Sequence, residues 1–127
     1  MPRLLFSIAA VMLAASASTS FAADAAAGKD LYDDNCAICH GNKGEGYPKS
    51  VVPDGAVRIK KLAGDSAYWD LAVFKKAVLQ AVDDHDKPMR VMPAFEKTGL
   101  YEPPGQKLTD EDVANIQAYM QTLGPKE

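Results

Sequence analysis

The sequence predicts an all-α fold. Apolar residues recur at helical rather than strand spacing, the segments that carry this spacing are separated by stretches rich in glycine and proline, and no internal repeat breaks the pattern. A chain of 127 residues has room for one domain with a modest core. Three main helices are expected, joined by loops and short helical turns.

Residues 1–22 read as a secretory signal peptide: Arg3, then an apolar run from Leu4 to Ala15, then small residues ending in Ser20-Phe21-Ala22. Cleavage after Ala22 leaves residues 23–127 as the mature domain. The apolar run is shorter than the roughly 20 residues that span a bilayer, so no stable membrane insertion is expected after cleavage. Losing Arg3 and no acid takes the formal charge from −3 to −4. That balance disfavours nucleic acid and anionic membrane surfaces as partners, because both repel an acidic protein.

The first helix is expected over residues 25–37, with Gly41 releasing the chain after His40. Residues 42–61 are polar and carry Gly44, Gly46, Pro48, Pro53 and Gly55, the composition of a surface loop. A second helix should start at Asp65 or Ser66 and run to about Val82, with Leu71, Phe74, Val78 and Val82 as its apolar stripe. The acidic run 83–86 and Pro88 end it. Residues 88–107, with four prolines and Gly105, form another irregular stretch. The last helix has Thr109 as cap, acids at 110–112 at its positive end, Leu108 as a staple onto Val113, and Val113, Ile116, Met120 and Leu123 on its buried face. Gly124 and Pro125 stop it.

Cys36-Ala37-Ile38-Cys39-His40 carries the chemistry. Its spacing fits two thioether bonds to the vinyls of one haem c, with the next residue bringing an imidazole to the iron. Cys36 and His40 lie one helical turn apart, so they share a side of the chain end. A covalent tether suits an exported protein, whose cofactor would otherwise diffuse away. The competing reading is a disulfide or a thioredoxin-like redox pair, since these are the two cysteines of an exported chain. A thioredoxin-like protein, however, needs a βαβ pattern, and it gives no reason for His40.

On these residues the chain resembles the class I c-type cytochromes, similar to small bacterial monohaem members over most of its mature length. Gly28, eight residues before Cys36, and Tyr32, four before it, match the family's small and aromatic positions. Ile116 and Tyr119 match the pair on the last helix that those positions meet. The resemblance implies the cytochrome c fold and a methionine as sixth ligand, followed by proline, on a loop before the last helix. Met92-Pro93-Ala94-Phe95 matches that pattern. Pro93 biases Met92 toward an extended conformation, and Phe95 can pack beside the macrocycle. Met89 and His85 are the rivals. Lys60 stands where the family has a proline whose carbonyl accepts from the axial imidazole, which leaves the partner of His40 open. Residues 97–106 are longer than a minimal version needs.

Tyr68 and Trp69 are candidate donors to a haem propionate or, with at least equal weight, core-packing residues. Lys43, Lys49, Arg58, Lys60 and Lys61, with Lys87, Arg90, Lys97 and Lys107, would form a basic docking face if they ring the haem edge; otherwise they are scattered solvated side chains. The expected function is that of a periplasmic, monomeric electron carrier, not an enzyme. It would take one electron from a dehydrogenase or membrane complex and pass it to an oxidase. The alternatives are the cytochrome subunit of a periplasmic dehydrogenase complex and, further off, a haem sensor or peroxidase.

Overall fold

The computed structural model describes residues 22–47 and 59–127. The signal segment and the middle of the 42–61 loop, with Lys49 and Arg58, lie outside the described residues. Five α-helices occur among them: α1 (Ala25–Asn35), α2 (Ala37–His40), α3 (Leu71–Gln80), α4 (Phe95–Thr98) and α5 (Asp110–Thr122), with a 3-10 turn at Ser66–Tyr68. The all-α expectation holds, with α1, α3 and α5 as the three main helices.

Helix α1 opens on Asp24, whose carboxylate accepts from the amides of Ala26 and Ala27 at 2.9 and 3.2 Å. It ends two residues earlier than its sequence predicts. The Asn35 side chain donates to the Leu31 carbonyl at 3.1 Å and so competes for an acceptor of the helix ladder. The chain bends at Cys36 and resumes as the single turn α2.

The crossing of α1 with α5 is the largest helix contact of the molecule. Gly28 makes it possible: a Cβ there would sit 1.8 Å from the Asn115 carbonyl oxygen of α5. One turn on, the Tyr32 and Tyr119 rings meet at 5.4 Å between centroids, tilted by 59°. Tyr32, Val113, Ile116 and Met120 are fully buried around this crossing, and Phe74, Val78, Phe95 and Leu100 complete the core.

Helix α3 starts later than expected. Its cap is Asp70, which accepts from the Ala72 amide at 2.8 Å, while Asp65 and Ser66 open only the 3-10 turn. The interruption has a tertiary cause. Gln117 and Gln121 of α5 donate to the carbonyls of Trp69 and Ala67 at 2.8 and 2.9 Å, acceptors that a continuous helix would use itself. Phe74 and Val78 of the predicted stripe are buried, whereas Leu71, in the first turn, is exposed. Ala81, in the left-handed region at φ 56°, ends the helix, so Val82 falls outside it and bridges to Pro88.

Residues 88–107 are not wholly irregular, because α4 forms immediately after Met92-Pro93-Ala94. Helix α5 meets its expectation closely. Thr109 and Asp112 make a reciprocal capping box, and Leu108 lies half-buried on the cluster that contains Val113.

Candidate functional site

Cys36, Cys39 and His40 lie at the joint between α1 and α2. The amide of His40 donates to the Cys36 carbonyl at 2.9 Å, so Cys36 and His40 share one turn as their spacing requires. Tyr32 holds the exit of that turn, donating its hydroxyl to the Gly41 carbonyl at 2.8 Å. The described residues of the polar stretch after it form the loop their composition predicts, mostly exposed, with Gly44 and Gly46 turned inward. Gly46 is buried, donates its amide to the His40 carbonyl at 2.8 Å, and lies so close to the chain's return that a Cβ would sit 2.6 Å from the Ile59 carbonyl oxygen. The Glu45 carboxylate is held below its usual pKa by its own backbone amide and then by the Lys43 amide, from which it accepts at 2.8 Å.

The two cysteines are free, and no disulfide joins them. Burial, and then the neighbouring Cys39, push the Cys36 thiol up to about 12, so this sulfur is held neutral. Burial also lowers the pKa of the His40 imidazole, against the opposing pull of the Lys60 backbone. His40 Nδ1 is buried and completes no hydrogen bond. An imidazole biased toward its neutral form and a half-buried Cys36 sulfur biased the same way fit a thioether-bound, iron-ligated porphyrin, since metal ligation needs the unprotonated ring and a thioether carries no charge to bury.

A model of the cytochrome c family matches residues 25–124. The chain belongs to the cytochrome c family. It is similar to cytochrome c-554(547) of Halothiobacillus neapolitanus, 35% identical over 105 residues that cover 80% of this chain and 99% of the relative. Cytochrome c6 of Picosynechococcus sp. is 35% identical over 123 residues, covering 91% of this chain and 90% of its own. Cytochrome c-555 of Chlorobaculum tepidum is 35% identical over 104 residues, 80% of this chain and 78% of its own. No solved structure matches the chain. Family membership brings a covalently bound haem c and the role of an electron carrier rather than an enzyme. This cytochrome c has one segment of the attachment spacing, at residues 36–40.

The other site expectations divide. Met92 is half-buried and packs against the cluster that holds Phe95, whereas Met89 is not among the side chains on that cluster. The His85 side chain is 74% exposed on a turn organised by Asp83, well suited to solvent. Tyr68 donates its hydroxyl to the carbonyls of Gly124 and Gln121 at 2.7 and 3.1 Å, at the end of α5. Trp69 packs half-buried on the core. The basic residues are not one free face either: Lys61 pairs with Glu127, and Lys107 donates to the carbonyls of Glu96 and Lys97.

Sequence reasoning passed over the buried polar residues Asn35, Asn115 and Gln117. Asn35 had a signal, because it continues the buried face of Gly28 and Tyr32 at helical spacing, and an amide on such a face must find partners.

Proposed function

We propose that this cytochrome c is a periplasmic, monomeric one-electron carrier. Cys36 and Cys39 would hold the haem by thioethers, with His40 and Met92 as axial ligands. Export rests on the signal pattern of residues 1–22, with the mature domain beginning at Ala23. The observation that carries the ligand reading is His40, a half-buried imidazole whose pKa burial lowers and whose buried Nδ1 lacks a partner. The backbone carbonyl of Lys60 is the group facing it. Because a carbonyl belongs to every residue, lysine in place of the family's proline leaves that acceptor intact. Such a bond fixes the ring and raises the basicity of the other nitrogen.

The bound haem supplies a reversible one-electron couple at its iron. The chain supplies the rest. Met92 offers a soft, neutral thioether that favours ferrous iron and a high potential. Pro93 restricts the backbone on one side of Met92, and buried Phe95 keeps water from the same region. The partners are other redox proteins, a dehydrogenase or membrane complex as donor and an oxidase as acceptor.

The test compares two methionine variants of protein matured with its haem. Met92→Ala should abolish the red-edge sulfur-to-ferric-iron band, lower the potential and admit cyanide, while Met89→Ala changes little. Loss of the band in Met89→Ala alone would move the ligand by one turn, and absence of the band from the wild-type protein would remove methionine from the iron.

A further inference from the structure

Asn35 is 3% exposed, and its amide group is bonded on every side. Oδ1 accepts from the amides of Tyr101 and Glu102 at 2.8 and 2.9 Å. Nδ2 donates to the carbonyls of Glu102 and Leu31 at 3.0 and 3.1 Å. A side-chain amide has two donor hydrogens and two acceptor positions, and here all four are used. Three of the four bonds reach the turn at residues 101–102, across 66 or 67 residues of chain.

Both ends of this bracket lie beside the site. Asn35 immediately precedes Cys36. The turn it grips closes on itself through Leu100 and Gln106, whose amide-to-carbonyl bond is 2.8 Å. Through Tyr101 the turn leans on Phe95, ring edge to face at 6.0 Å, and through the Gly99 amide it bonds the Phe95 carbonyl at 2.9 Å. Phe95 follows Met92 by three residues, and both pack in the same cluster.

We propose that Asn35 is a positioning residue that locks the Met92 segment to the Cys36 end of α1, so that the two sides of the site move as one body. It rests on the reading of Met92 as a ligand. Apolar contacts tolerate slip, whereas hydrogen bonds to two consecutive backbone amides fix register. Their loss strands buried N–H groups that the turn can satisfy only by moving.

The experiment uses ferric, haem-loaded protein well below its melting temperature. Imidazole is titrated against the sulfur-to-iron band, and hydrogen exchange is followed at the amides of Tyr101 and Glu102. Asn35→Leu, close in shape but without polar atoms, should bind imidazole about tenfold more tightly than wild type and lose protection at both amides. Asn35→Asp, which keeps the two acceptor positions, should fall between. An imidazole affinity unchanged in Asn35→Leu, with the two amides unprotected, would make Asn35 a loop anchor only and overturn the proposal. Should Asn35→Leu fail to hold haem, wild type decides: saturation with imidazole must speed exchange at Tyr101 and Glu102 by about tenfold, because coupling between two sites is reciprocal. Unchanged exchange overturns it. A wild-type protein with no sulfur-to-iron band refutes the Met92 reading itself, an outcome distinct from a band that Asn35 does not influence.

Discussion

The crossing of α1 and α5 and the stretch from residue 83 to 106 flank the same site but are held together differently. At the crossing, Tyr32, Val113, Ile116 and Met120 are fully buried, and Gly28 brings two backbones into contact. Along 83–106 only Phe95, Leu100 and Gly99 are buried, and the backbone is ordered by polar side chains. Asp83 accepts from the amides of His85 and Lys87, Lys107 covers the carbonyls of Glu96 and Lys97, and Asn35 grips residues 101 and 102. The first region depends on volume, the second on direction. Regions with few buried apolar contacts open at lower free-energy cost than the core, so the Met92 side should open locally while the crossing opens only with the whole molecule.

Overpacking the crossing is the strongest way to break this picture. Gly28→Val must push the Asn115 backbone aside, and should cost about 3 kcal/mol, read as a lower melting temperature of the haem-loaded protein. An unchanged melting temperature would show that the crossing is softer than its geometry implies. Thr109→Ala removes half of the capping box of α5, with an expected loss of about 1 kcal/mol by denaturant titration. That loss should appear as global destabilisation, because α5 belongs to the rigid half.

On the other side, Lys107→Ala should shift the melting temperature by less than about 2 °C yet speed hydrogen exchange at Gly99 and Leu100, just past α4. A fall as large as that of Gly28→Val would abolish the distinction between the two regions. The smallest effect is one of pH. The Lys87 amide, together with that of His85, holds the Asp83 carboxyl below its usual pKa. A carboxylate depressed on folding stabilises the turn above its ordinary pKa, and that contribution disappears as the pH falls through the lowered value. The His85 and Lys87 amide signals should therefore titrate together with a midpoint below the ordinary carboxylate value. A midpoint at or above it would remove Asp83 as the organiser of the turn.

Local chemistry made much of this protein legible before any coordinates. Helical periodicity, the Thr109 cap and the spacing of residues 36–40 depend on neighbours within a turn or two, and each appears where it was expected. Gly28 was expected at the crossing of the first and last helices with Tyr119 packed on it; it lies at that crossing, but against the backbone of Asn115 and Ile116, while Tyr119 packs on Tyr32. The failures are of another kind. The start of α3 moved to Leu71 because Gln117 and Gln121, about 50 residues away, take the carbonyls a longer helix would need. Tyr68, readable from sequence as a propionate donor or a core residue, donates its hydroxyl to the end of α5.

What the sequence determined alone was therefore the three main helices, the attachment segment and the order in which they come, since these follow from contacts between residues close along the chain. Only the tertiary structure decided where the second helix begins, that the Lys60 backbone acts on His40, and that Asn35 aims three of its four amide bonds at a turn 66 or 67 residues away. A polar atom declares its type in the sequence but not its partner. Partners are chosen by which backbone groups the packed helices leave unpaired and within reach.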